Sequence, residues 1–303
     1  MSEDAPSRPR GFAAFRERIA LLRAREGIGD VPGFRPRATD VVISPFAKCG
    51  TTWIQQVVHG LRTRGDMDFD DISRVVPWIE TARDLGLDLE APQRGQPRAF
   101  KSHLSWDLVP KGARYVVSIR DPKDALVSMY RFMEGWFFEP GTVSLVEFAR
   151  EQFMARSEDL DYWTHLRSWW EHRRDANVLL LCYEHMHEDL AGTVRRIAAF
   201  SGIPLDDELL RLVVHQASLE FMLVHKDKFD DRLMREHSER AARLPAGSDS
   251  AKVRRGEVGG HRRELPPEIG AELDRVWKEE IEARLGFADY ASLASALGRE
   301  ARR

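Results

Sequence analysis

The stretch from residue 40 to residue 61 constrains this chain more than any other. An apolar run, Asp40-Val41-Val42-Ile43, leads through Ser44-Pro45-Phe46-Ala47-Lys48-Cys49-Gly50-Thr51-Thr52-Trp53 into Ile54, Val57, Val58 and Leu61 at helical spacing. A short β-branched run followed by a helical period is a strand, a loop and a helix. The loop sets a lysine, a glycine and two threonines where the helix begins. Backbone N–H groups and the helix dipole already favour an anion at such a point. The pattern therefore predicts a grip on phosphate or sulfate at Lys48, Gly50, Thr51 and Thr52. The common nucleotide loop, Gly-x-x-x-x-Gly-Lys-Ser/Thr, is absent, because Lys48 precedes Gly50 and no earlier glycine stands at the required distance. That spacing counts against an ATP or GTP kinase. The plainer alternative is a strand-to-helix turn in which Gly50 serves conformation alone.

Three further strand candidates cover residues 98–103, 114–120 and 177–183, and longer helical patterns separate them. Such alternation predicts an α/β fold: a single domain with a P-loop-like parallel sheet and helices on both faces. Ligands then bind beyond the carboxyl ends of the strands. No internal repeat or linker divides the chain. We expect an N-terminal helical arm over 1–35, with apolar and basic positions alternating along 12–25 and packing on the domain, and one α/β domain over 36–303. Residues 244–250 read as a mobile loop. Beyond them Ile269, Leu273, Val276, Trp277 and Ile281 share one helical face.

Bulk properties narrow the partners. Lys and Arg number 46 against 49 Asp and Glu, a formal charge of −3, so nothing points to nucleic acid. Only two cysteines occur, Cys49 and Cys182, outside any Cys/His cluster, which argues against a disulfide scaffold or structural zinc and predicts no metal. Apolar runs are too short to cross a membrane, and no secretory apolar core opens the chain. The expected location is the cytoplasm, with no integral membrane association.

Two elements beyond the first loop carry chemistry. Lys101 and His103 stand two apart at the end of the second strand, so they project together. An imidazole there can take a proton near neutral pH, and an ammonium can stabilise negative charge on a transferring group. The plainer view is a solvated lysine and a hydrogen-bonded edge histidine. Arg120 ends the third strand, where its planar fork suits phosphate. Asp121 and Pro122 then make a good helix start, with Asp124 in the first turn, and receive no catalytic role. Ser128, about two turns into that helix, can meet the same ligand. Arg254 and Arg255 lie beside Gly256 in Val253-Arg254-Arg255-Gly256-Glu257-Val258-Gly259-Gly260, a set able to close over a phosphate.

These motifs, in this order, resemble the cytosolic-type sulfotransferases that use 3′-phosphoadenosine-5′-phosphosulfate (PAPS). Lys-x-Gly-Thr-Thr-Trp is similar to their 5′-phosphosulfate loop, with Cys49 in place of the usual serine. Lys101-Ser102-His103 resembles their catalytic Lys-Thr-His, and Arg-Asp-Pro-Lys-Asp-x-x-Val-Ser their 3′-phosphate element. The resemblance spans roughly residues 40–262. It implies a PAPS-binding set of Lys48, Cys49, Gly50, Thr51, Thr52 and Trp53 at the loop, with Arg120, Ser128, Arg254, Arg255 and Gly256 at the 3′-phosphate. It also implies that Trp53 and Tyr183 contact adenine. His103, Lys48 and Lys101 would be catalytic, with His103 the general base toward a hydroxyl or amine of a small, hydrophobic acceptor. From the residues themselves, Phe46, Trp78, Trp136, Phe137 and Phe138 are candidates for an apolar acceptor wall, and most of them fit the core equally well. The chain departs from the family at Gly260-His261-Arg262, where Asp-Trp-Lys is usual, and around Ala217-Ser218-Leu219. The family dimer motif is not visible either, which leaves a homodimer by that route doubtful. A small-molecule kinase and a non-catalytic nucleotide-binding module are the alternatives; the loop spacing opposes the first, and Lys101 with His103 the second.

Overall fold

The structure is a computed structural model and describes residues 6–23, 34–156, 161–250 and 252–300. Four parallel strands, β1 (Val41–Ile43), β2 (Ala99–Lys101), β3 (Arg114–Ile119) and β4 (Val178–Cys182), form one sheet in the order β2-β1-β3-β4. Each is one to three residues shorter than its sequence pattern. Asp40 and Arg98 sit just outside β1 and β2, where the carboxylate takes two guanidinium hydrogen bonds at 3.0 and 2.6 Å, both side chains buried. A bidentate pair of this kind meets the hydrogen-bonding needs of two charges removed from water.

The helices that position the site are α1 (Phe12–Arg23), α2 (Thr51–Thr63), α3 (Pro122–Trp136), α4 (Tyr162–Glu171), α5 (Tyr183–Glu188), α6 (Leu190–Ser201), α7 (Asp207–Gln216), α8 (Leu219–Val224), α9 (Arg232–Ala241) and α10 (Pro267–Trp277). Strand alternation divides the core in two. Val41, Ile43, Ala99, Val116 and Leu181 face α2, α6 and α7 through residues such as Val57, Ile197 and Val213. Val42, Phe100, Tyr115, Val117 and Leu180 face α1, α3, α4 and α10 through Phe15, Leu126, Trp169 and Leu273. Each such large apolar side chain contributes roughly 1.5–3 kcal/mol on burial. Helix α1 belongs to this second core, since Phe15 is fully buried with its ring edge-on to Phe138 at 5.3 Å.

Segment 244–250, expected as a mobile loop, is tied down. Ser248 and Ser250 are buried, Ser250 Oγ donates to Asp230, and the Arg235 guanidinium donates to the Ser248 carbonyl. These ties run through the Ser250 hydroxyl and the Ser248 carbonyl, which composition alone does not distinguish from a solvated loop. No helix among the described residues is long and apolar enough to cross a membrane.

Candidate active site

All four strands point their carboxyl ends at a cavity of about 570 Å³. Every residue assigned from the sequence to catalysis or nucleotide binding lines it except Cys49. Helix α2 begins at Gly50 (φ 100°), with no side chain capping its first turn. A methyl group at Gly50 would stand 3.1 Å from the Tyr183 ring and 3.3 Å from Ser118 Oγ, so backbone angle and space both require glycine. Lys48 also holds a left-handed backbone, φ 68°, which costs an L-residue roughly 1–2 kcal/mol. Thr51 Oγ1 is buried without a partner among the described residues, an orphan that an anion at this helix start would satisfy. Cys49 stands apart from its neighbours: its side chain is fully buried in the core, and its N–H donates to the Phe46 carbonyl at 3.0 Å. Burial pushes its thiol up to about 12. It is a packing residue that turns its neighbours toward the cavity.

The end of the cavity under β2 gathers charge. Strand β2 stops at Lys101, so His103 lies past it and is held by contacts of its own, not by strand alternation. Its backbone N–H donates to Glu80 at 2.7 Å, and Nδ1 lies 2.8 Å from the Pro45 carbonyl. A carbonyl only accepts, so Nδ1 carries the ring proton and Nε2 keeps its lone pair. Burial, with Lys101 and Lys252 nearby, pushes His103 down to about 3, so the imidazole is neutral. Lys101 stands 3.3 Å from the Asp231 carboxylate and 3.9 Å from the Trp78 ring centre. Desolvation lowers it to about 8 even against that carboxylate. Lys48 is lowered to about 7 by desolvation and then by Lys252 and Arg120; its ammonium rests 4.2 Å from the Phe132 ring centre.

The opposite end is built for a flat, charged ligand. Arg120 donates to the Lys48 carbonyl at 3.0 Å and to the Glu257 carbonyl at 3.1 Å, and lies 4.2 Å over the Tyr183 ring. Its Nε is buried without a partner among the described residues. Trp53 is aimed by its indole N–H, which donates to the Ala217 carbonyl at 2.8 Å, and it packs edge-on to Tyr183 at 5.6 Å. Ser128, Arg254, Arg255 and Gly256 complete this wall. Gly256 has φ 60°, and an added Cβ would stand 3.1 Å from Leu219.

Asp124, given only a helix-start role from sequence, has a second one. Its buried carboxylate accepts from Gly259 N at 2.6 Å, His261 N at 2.9 Å and His261 Nδ1 at 2.8 Å. Burial raises its pKa, but these donors outweigh it and hold the carboxyl below its ordinary value. It latches the 252–264 segment onto α3. Asp124→Ala should leave the fold intact and weaken 3′,5′-adenosine bisphosphate (PAP) binding about tenfold, the scale of one lost charge-assisted hydrogen bond. Hydrogen exchange should rise at 254–262; unchanged exchange there would show that something else fixes the segment.

A family model for the sulfotransferase domain matches residues 38–284. The chain belongs to the sulfotransferase family. This sulfotransferase is 29% identical over 278 residues to the amine sulfotransferase of Oryctolagus cuniculus, covering 88% of each chain. It is 30% identical over 261 residues to sulfotransferase 4A1 of Mus musculus, covering 83% of this chain and 84% of the relative. Among solved structures, mouse sulfotransferase SULT7A1 complexed with PAP superposes with a TM-score of 0.66 at 21% identity, covering 91% and 94% of the two chains. Retinol dehydratase, in complex with androsterone and the inactive cofactor PAP, gives 0.63 at 21% identity over 86% and 85%. The enzyme is a PAPS-dependent transferase.

Of the predicted acceptor lining in the sulfotransferase, Trp78, Trp136 and Phe137 reach the cavity. Phe138 is fully buried in the core, and Phe46 packs edge-on to Tyr162 at 5.5 Å. Ile19 and Leu22 of α1 and Met234 of α9 complete the apolar wall. Sequence reasoning missed Asp231 and Lys252 altogether. The basic run after residue 251 was a signal for Lys252; nothing local distinguished Asp231 from its neighbour Asp230.

Proposed function

We propose that His103 is the general base for sulfuryl transfer from PAPS to a hydroxyl or amine of a small hydrophobic acceptor. The observation that carries this reading is the tautomer: Nδ1–H is committed to the Pro45 carbonyl, and the ring lines the cavity with Nε2 unprotonated. His103 Nε2 takes the acceptor proton as the acceptor oxygen or nitrogen bonds to sulfur. The bond from sulfur to the 5′-phosphate oxygen breaks, and PAP leaves. Lys48 and Lys101 balance charge on the sulfuryl oxygens and the departing phosphate, so that positioning and electrostatics supply the rate.

For the nucleotide, the orphan Thr51 Oγ1, the orphan Arg120 Nε and the surplus of cations fit the phosphates of PAPS. Arg120, Ser128, Arg254, Arg255 and Gly256 take the 3′-phosphate, Gly50, Thr51 and Thr52 the 5′-phosphosulfate, and Trp53 and Tyr183 the base. The acceptor is apolar, in keeping with Trp78, Phe132, Met133, Trp136, Phe137 and Met234 on the remaining wall. Two free, buried cysteines are in keeping with a cytoplasmic workplace.

Calorimetry with PAP, 5′-AMP and ATP tests the nucleotide assignment. PAP should bind most tightly, and Arg120→Ala should lose about tenfold or more of that preference, the scale of a charge-assisted phosphate contact. Equal or tighter ATP binding would overturn the assignment and favour a kinase.

A further inference from the structure

Lys48 and Lys101 do not complete the reacting end of the cavity. Lys252 also lines it, with a side chain only 9% exposed. Its ammonium contacts Asp231 Oδ2, the oxygen that Lys101 also meets at 3.3 Å, while Asp231 Oδ1 accepts from Ser73 Oγ at 3.1 Å. Beyond that ion pair the buried Lys252 Nζ has no hydrogen-bond partner among the described residues. An ammonium has three donors, so most of its hydrogen-bonding capacity is unspent. Three lysines thus share with two carboxylates, Asp231 and Glu80, a desolvated corner around a neutral His103, a set in which a bound anion can take the donors that the carboxylates leave unspent.

The placement of Lys252 in the chain adds a second argument. It lies two residues before Arg254 on the segment latched by Asp124, so a nucleotide that seats the Arg254–Gly256 turn also fixes Lys252. Asp231 is the opposite anchor. Burial alone would raise its pKa, but Lys101 and Lys252 prevail and hold it well below the carboxylate range. It therefore stays charged and keeps both ammonium groups in register. Lys101 spends one donor on Asp231 and lies against Trp78, which leaves part of the developing charge to another cation.

Resting on the PAPS reading above, we propose that Lys252 is a third sulfuryl-binding lysine, aimed by Asp231 and delivered by the nucleotide-binding segment. It donates to a non-bridging sulfuryl oxygen of PAPS throughout the transfer. The acceptor–sulfur bond forms, the sulfur–phosphate oxygen bond breaks, and His103 holds the acceptor proton. Lys252 thus distinguishes PAPS from PAP, which lacks the sulfuryl group.

The test compares PAPS and PAP affinities for the wild type, Lys252→Met, Lys252→Gln and Lys252→Arg, by calorimetry on the full chain. Each variant leaves Asp231 paired with Lys101 and Ser73, and retained PAP binding reports a folded site. Lys252→Met and Lys252→Gln should weaken PAPS about tenfold or more and PAP less than about threefold, with Lys252→Arg close to wild type. Equal losses for PAP and PAPS, or no loss for either, would overturn the proposal. If wild-type protein binds PAP no better than 5′-AMP, the PAPS assignment itself fails and the proposal falls with it, an outcome visible before any variant is made.

Discussion

His103→Ala should lower sulfuryl transfer by about 10²–10⁴-fold, the usual contribution of a positioned general base, and leave PAP affinity within about threefold. The loss should fall on kcat, because the imidazole acts on the proton of the attacking group and not on nucleotide phosphates. Three cavity-lining histidines compete for the role: His103, His187 and His261. His261 is spent on Asp124, and His187 packs edge-on to Trp53 at 6.4 Å, at the base end. His165 is buried, but its Nε2 donates to the Ser44 carbonyl at 3.0 Å, and it lies outside the cavity lining. Only His103 combines a fixed tautomer with a place beside Lys101. Unchanged turnover in His103→Ala would remove it as base, and parallel loss of PAP binding would make it structural.

Much of this site is legible in the sequence because local rules fix it. The Lys48-to-Thr52 loop follows from a strand, a helix start and a glycine that must hold a positive φ. Asp121 caps α3 through Lys123 N, and Pro122 opens it, as their order requires. Lys101 and His103 do converge, but the alternation argument for them was the wrong one, since β2 ends at Lys101 and Glu80 and Pro45 position His103. Partners distant in the chain are where sequence reasoning stops. Asp231 enters from the start of α9, at a left-handed residue of φ 46° whose side chain caps nothing, and meets Lys101 from 130 residues away. Asp124 fits the first turn of a helix so well that its tie to 259–261 is invisible until the segment is seen packed there. Cys49 sits inside a binding motif, yet its direction depends on the core behind the loop.

Proton uptake on nucleotide binding is the other large effect expected. Without nucleotide Lys48 is lowered to about 7 and Lys101 to about 8, desolvation being the first cause in each. A bound phosphate or phosphosulfate stabilises the ammonium form and raises both pKa values. At pH 6 both lysines are charged with or without ligand, so they exchange no protons with solvent. At pH 8 most Lys48 and about half of Lys101 are neutral without nucleotide and become protonated in the complex. The sign follows: PAP affinity should fall as pH rises from about 7 toward the bound-state values, by up to about tenfold per pH unit for each proton taken up. Phosphate protonation, near pH 6, does not enter above neutrality. Calorimetry at pH 8 in two buffers of different ionisation enthalpy measures the uptake directly. Lys48→Met should remove the larger share and leave the part due to Lys101. The folded chain without ligand carries the opposite sign: Lys48 ionises less readily folded than unfolded, where its value is 10.5, so its charge opposes folding at low pH. That opposition is relieved as pH rises from about 7 to 10.5. Bound PAP should therefore stabilise the protein most at the acid side of this window, and a ligand-induced rise in Tm that does not shrink toward pH 9 would show that the Lys48 ammonium is not what holds the phosphate.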